Sequence, residues 1–228
     1  ALDGGLKGLR ERIANNAILA RIKREMAENL KRRGGANKLL ITSRLGGADV
    51  TAGKTLSEIA TEQGLYPIDA AVKILTAGDA RVASFNMNRD DINAFAMQDW
   101  VVTGSDGSTG HPRKYGSFPK AYRDFVVNSN LLTLAQFIRR SSGNTADIIG
   151  LKNRGYIKTG FFADIVVFDP ETFTSRATYQ QPTQYAKGVE HLFVNGENVI
   201  ARGVPTKSLP GRPLRKKSME RDQCHING

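Results

Sequence analysis

The stretch that most constrains the fold runs from Trp100 to Arg113, W-V-V-T-G-S-D-G-S-T-G-H-P-R. A short apolar run, Trp100 to Val102, stops at Thr103 and Gly104 and gives way to a polar, glycine-rich segment. The run is too short for a helix and rich in β-branched and aromatic residues, so Trp100–Thr103 is predicted to be a buried central strand. The glycines after it let the backbone turn where a side chain would clash. In a parallel α/β protein, a carboxylate just past a strand end lies on the face where ligands bind. Asp106 is therefore the first candidate for chemistry. An aspartate closing an ordinary βα turn fits the same spacing.

Before this stretch, helix and strand signals alternate. Leu6 to Leu30 carries apolar residues at three- and four-residue steps with Arg and Lys between them, broken at Asn15-Asn16 and ended by Gly34-Gly35. Lys38–Ser43 reads as a strand and Arg44–Gly53 as a loop. Thr55 to Glu58 is a capping box opening a helix that stops at Gly64. Pro67 starts another helix, followed by a predicted strand Arg81–Met87 and a helix Asn88–Met97. Beyond the polar loop, Phe118–Val127, Leu134–Arg140 (behind a second capping box, Thr133 to Gln136) and Thr145–Ile149 read as helices. The texture then turns to β: Phe162–Phe168 as a buried strand, then Ala177–Tyr179, Val189–Val194 and Asn198–Ala201, with Asn195-Gly196 as a hairpin turn. This predicts an α/β portion over residues 1–150, a small β portion over 151–215 and a loosely held tail over 216–228.

The net charge of +11 invites a nucleic-acid reading, but much of the excess sits in Arg10 to Arg33 and Arg212 to Lys217, without zinc-finger spacing or aromatic interleaving. A solvated basic helix face and a basic tail account for it, so neither nucleic acid nor membrane is expected as a partner. The charge still favours anionic substrates. No apolar stretch suits a bilayer span, no signal core opens the sequence, and the single cysteine, Cys224, fits a reducing compartment; a cytoplasmic location is expected.

The motifs G-S-D-G (Gly104 to Gly107), H-P-R (His111 to Arg113) and Y-G-S-F-P (Tyr115 to Pro119) occur in that order. G-F-F-A-D-I-V-V-F-D-P (Gly160 to Pro170), V-N-G (Val194 to Gly196) and P-G-R-P-L-R (Pro210 to Arg215) follow. In this the chain resembles the C-terminal half of the N-acyl-D-amino-acid deacylases (D-aminoacylases), a branch of the amidohydrolase superfamily. The resemblance implies the C-terminal part of a (β/α)8 TIM-type barrel followed by a β-sandwich portion, with a helical lid near the start. It implies zinc-dependent hydrolysis of the amide bond of N-acyl-D-amino acids. It places metal contact and proton shuttling on Asp106, and grip on the substrate α-carboxylate on Arg113, whose planar fork suits two parallel hydrogen bonds. Six residues separate the two, fewer than the family's loop. His111 has two readings, a hydrogen-bond partner in the active-site loop or a residue fixing the turn before Pro112. Tyr115 and Phe118 either pack or line the pocket.

A catalytic zinc usually takes three or more protein ligands. The histidines here are His111, His191 and His225, none in an H-x-H pair, and Cys224 does not match the family's metal-binding cysteine. A full barrel takes about 250 residues, and removing the β portion leaves about 150. The expectation is a piece of the enzyme that keeps the shuttle and the clamp, has most zinc ligands elsewhere, is inert alone, and pairs with the missing half or with itself. The alternative is a non-catalytic binding or assembly module derived from an amidohydrolase.

Overall fold

The computed structural model describes residues 3–45 and 52–214, which fall into two compact units. The first comprises the residues up to Gln98 together with Ser105–Ser117 and Ser175–Tyr185; the second comprises Asp99–Gly104, Phe118–Thr174 and residues 186–214. Part of the predicted loop at 44–53, together with Arg215, the tail, Cys224 and His225, lies outside the described residues.

The first unit opens with helices α1 (Gly5–Ala14) and α2 (Asn16–Arg32), broken at the expected asparagines. Asn15 is the N-cap of α2, and its side chain accepts the free amides of Ala17 and Ile18. Strand β1 (Leu39–Leu45) pairs antiparallel with β2 (Asp79–Ser84), and a bulge between Ile41 and Ser43 leaves Thr42 as the extra residue. Helices α3 (Leu56–Glu62) and α4 (Pro67–Ala77) lie between them in sequence. The Thr55–Glu58 capping box is formed in both directions. The core is Ile41, Leu56, Ile59, Ala60, Ala70 and Ile74, one apolar face each from β1, α3 and α4. Helix α5 (Arg89–Ala96) is capped by Asn88. The predicted strand Arg81–Met87 is displaced toward the N-terminus, because ladder pairing to β1 fixes its ends and the chain after Ser84 turns toward the Asn88 cap.

Helix α6 (Arg113–Tyr122) leads into a π-helical segment, Arg123–Asn128. In the second unit follow α7 (Leu134–Ser141), opened by the expected capping box, and α8 (Gly143–Ile149). A four-stranded sheet is ordered β3 (Ile165–Phe168), β4 (Val189–Val194), β5 (Glu197–Ala201), β6 (Val204–Pro205), all antiparallel. Asn195 and Gly196 both have positive φ, as a two-residue hairpin turn requires. The buried centre is aromatic: Tyr122, Phe137 and Phe173, with Phe168 against them. No helix among the described residues is long and apolar enough to cross a membrane.

Three strand expectations are corrected. Trp100–Thr103 is not a strand. The Thr103 amide donates to the Arg140 carbonyl at 3.3 Å and Ser141 Oγ donates to Thr103 Oγ1 at 3.0 Å, so the end of α7 takes the place of a ladder, and Trp100 is 65% exposed. Phe162–Phe168 shortens to β3, which among the described residues is an edge strand paired on one side, and its Val166 and Val167, on opposite faces, are exposed rather than buried. Ala177–Tyr179 is irregular, with Thr178 and Gln181 closing a turn on each other. Helix and strand mix as an α/β reading requires, but among the described residues every strand pairing is antiparallel, where a barrel reading calls for parallel ones.

Candidate active site

The G-S-D-G to H-P-R segment is a loop of the first unit, Ser105 to Pro112, delivering its last residues into the start of α6. Gly110 docks it onto β1. Its φ is +77°, and a Cβ there would lie 1.9 Å from the Thr42 carbonyl oxygen, so only glycine permits both the turn and the approach. Asp106 also has positive φ, at 47°, a conformation aspartate tolerates better than most residues. Its Oδ1 accepts the Gly107 amide at 2.5 Å.

Asp106 Oδ2 meets Arg113 Nη2 at 2.8 Å. The same nitrogen donates to Ser108 Oγ at 2.9 Å. The Asp106 side chain is 71% exposed and that of Arg113 34%, while Arg113 Nε is buried and has no hydrogen-bond partner among the described residues. The structure thus brings Asp106 and Arg113 together, and His111 with them. His111 Nδ1 accepts the Arg113 backbone amide at 3.1 Å, closing the start of α6. The other nitrogen, Nε2, then carries the proton and donates to Tyr179 Oη at 3.1 Å. His111 thus braces the start of α6 through one ring nitrogen and holds Tyr179 through the other. Burial, then the Arg113 charge, lower its pKa from the ordinary 6.5, and Asp106 partly opposes them. Burial raises the Tyr179 phenol, with Arg113 opposing.

This loop and β2 wall a cleft of about 510 Å3 lined in part by Arg81, Phe85, Met87, Ser108, Arg113 and Tyr179, a volume suited to a small molecule. Tyr179 packs edge-on against Phe85 and His111. Tyr179, Arg81 and Ser108 escaped the sequence reading. Tyr179 lies 68 positions from His111 in a segment read as a strand, and no spacing signals such a pair. Tyr115 stacks edge-on with Tyr185 and is only partly buried.

The residues present do not make a zinc cage by themselves. Among the described residues no three His, Cys, Asp or Glu side chains converge on one point, and Asp106 is paired with a guanidinium. His191 lies on β4 in the second unit.

A profile of the amidohydrolase family matches residues 16–200, most of the chain, and the chain belongs to that family. Within it the chain is similar to several enzymes whose names specify N-acyl-D-amino acids, and over a shorter stretch (90 residues, 33% identical) to a dihydroorotase of Lactobacillus acidophilus. An N-acyl-D-glutamate deacylase of Alcaligenes xylosoxydans xylosoxydans is 34% identical over 72% of this chain and 34% of its own length. An N-acyl-D-aspartate deacylase from the same organism is 34% identical over 78% of this chain and 36% of its own length. Among solved structures, a D-aminoacylase variant in complex with copper chloride matches at a TM-score of 0.69 and 31% identity, over 78% of this chain and 38% of that one. The crystal structure of a Bordetella bronchiseptica N-acyl-D-glutamate deacylase, complexed with zinc and a phosphonate inhibitor, matches at 0.65 and 28%, over 83% and 44%. The chain thus spans about a third of the length of these curated relatives.

Proposed function

We propose that this chain contributes part of a zinc-dependent N-acyl-D-amino-acid deacylase, a hydrolase of non-peptide C–N bonds. The observation that carries the reading is the Asp106–Arg113 pair at the glycine-pinned loop, with Arg113 lining a small cleft. In this reading Arg113 holds the substrate α-carboxylate through its planar fork, and Ser108 and the His111-fixed helix start aim it. Asp106 holds and moves the proton exchanged between attacking water and leaving amine, and is the one carboxylate of the loop offered to a metal. The remaining zinc ligands lie outside the described residues.

The fold reading that accompanies this is the closing part of a (β/α)8 barrel over residues 1–150, with α1 and α2 as a lid, and a β-sandwich portion over 151–215. The similarity to D-aminoacylase structures supports it. Pairing with the rest of the barrel, or self-association, would complete the site, and the chain alone would be inert.

The test is titration of the purified chain with N-acetyl-D-amino acids, followed by NMR, together with an assay for released D-amino acid in added zinc. Saturable binding weakened at least tenfold by Arg113→Gln, without turnover, is expected. Turnover by the isolated chain overturns the inert-alone reading. Absence of binding overturns the substrate assignment and leaves an assembly module of amidohydrolase descent.

A further inference from the structure

Tyr179 reaches the cleft from far along the chain. Residues 175–185 belong to the first unit, whereas Thr174 and Ala186 on either side of them belong to the second. This excursion is held at both ends. A Cβ on Gly116 of α6 would lie 2.3 Å from Ser175 Oγ, so Ser175 seats directly on that helix, and Tyr185 packs edge-on against Tyr115, the residue before Gly116. Between them, the Thr178 amide donates to the Gln181 carbonyl and the Gln181 amide donates to Thr178 Oγ1, closing a turn with Tyr179 inside it. The Tyr179 ring is fixed edge-on to Phe85 and to His111, at centroid distances of 5.4 and 5.0 Å. A side chain anchored this way loses little further freedom when it binds a ligand.

Its hydroxyl has a hydrogen to give. A phenol carries one donor and two acceptor sites. His111 Nδ1 is taken by the Arg113 amide, so the His111 Nε2 hydrogen fills one acceptor site of Tyr179 Oη. Among the described residues nothing accepts from that hydroxyl. Burial raises its pKa above the ordinary 10.0, so the hydrogen stays on the oxygen at neutral pH. Arg113 gains from such a neighbour. Its Nη2 already serves both Asp106 Oδ2 and Ser108 Oγ, so an anion arriving there meets a cation partly neutralised by its own ion pair. A neutral donor beside it adds grip without adding charge, and an O–H to a carboxylate is among the shorter and stronger hydrogen bonds. One imidazole sets the two in register. It bonds the Arg113 amide at 3.1 Å and Tyr179 Oη at 3.1 Å, and both side chains line the same cleft.

We propose that Tyr179 is a substrate-binding residue whose hydroxyl donates to the carboxylate that Arg113 holds, so that a segment from the β portion of the sequence supplies part of the substrate grip. This rests on the deacylase reading, which supplies the carboxylate.

The test is isothermal titration of the full chain with N-acetyl-D-alanine and with its neutral counterpart, N-acetyl-D-alaninamide. Tyr179→Phe keeps the ring contacts and removes the hydroxyl. It should weaken the acid about tenfold and the amide by no more than about threefold, because a hydrogen bond to a charged group exceeds one to a neutral group. The same loss on the acid is expected in a His111→Asn background. With tyrosine isotope-labelled at the ring carbon that bears oxygen, the Tyr179 NMR signal, assigned by its loss in Tyr179→Phe, should shift when wild type binds the acid. A loss that disappears once His111 is replaced makes Tyr179 a brace for His111 and overturns the proposal. Equal losses on the two ligands, or an unmoved Tyr179 signal, overturn it as well. Acid affinity unchanged by Tyr179→Phe but weakened at least tenfold by Arg113→Gln overturns this inference and leaves the deacylase reading standing. Wild type that does not bind the acid overturns the deacylase reading, and this inference with it.

Discussion

Replacing Gly110 with alanine tests the contact on which the site geometry depends. Two costs arise. A left-handed backbone costs an L-residue about 1–2 kcal/mol, and Gly110 sits at φ +77°. The added methyl would also lie 1.9 Å from the Thr42 carbonyl oxygen, which is backbone and cannot rotate away, so the loop must retreat by about 1.5 Å to restore van der Waals contact. Overpacking of that kind costs about 1–3 kcal/mol. Gly64 is the control: its φ is +62°, and nothing lies within 4 Å of a Cβ built there, so Gly64→Ala pays the first cost alone. Urea denaturation should show a loss of about 1–2 kcal/mol for Gly64→Ala and about 2–5 kcal/mol for Gly110→Ala. Ligand affinity at the cleft should fall only in the second, since Ser108, His111 and Arg113 move with the loop. Equal losses in the two variants would refute the docking of this loop on β1.

Asp106→Asn removes the carboxylate that competes with ligand for Arg113. An exposed pair of this kind is worth about 0.2–1 kcal/mol, so N-acetyl-D-amino acid binding should tighten by about 1.4- to 5-fold, and weakening instead would show that Asp106 itself touches the ligand. Because His111 has its pKa lowered in the folded chain, the unfolded chain takes up the proton first as pH falls. Its contribution to stability is thus complete above the ordinary value of 6.5 and is lost as pH falls through the lowered one. His111→Asn, whose Oδ1 can accept the Arg113 amide but does not titrate, should flatten the decline in urea midpoint between about pH 7 and pH 5, and an unaltered slope would count against the assignment. Thr55→Ala should cost about 1 kcal/mol, read by the same denaturation, because it removes the cap of the helix that brings Leu56, Ile59 and Ala60 to the core.

Local chemistry made much of this chain legible in advance. The break at Asn15, both capping boxes, the Pro67 helix start and the Asn195-Gly196 hairpin depend on residues within four positions of one another. Side-chain oxygens, a fixed proline φ and a permissive glycine act at that range whatever the rest of the chain does. Motif order likewise singled out Asp106, His111 and Arg113 as neighbours of one loop.

Strand identity depended on distant partners. Trp100–Thr103 has the composition of a strand, yet its amide hydrogen bond goes to the end of α7, and composition does not say whether a ladder partner will be present. Phe162–Phe168 has the composition of a buried strand, yet lies at a sheet edge. The site shows the same division. The sequence by itself put an acid and a base seven positions apart in a glycine-rich loop. Only tertiary structure decided that the two pair with each other, that Tyr179 meets His111 across 68 positions, and that Thr42 joins Arg81 to the loop. The physical reason is range: caps and turns are settled by neighbours along the chain, whereas ladders, ion pairs and clefts are settled by which distant surfaces burial brings together.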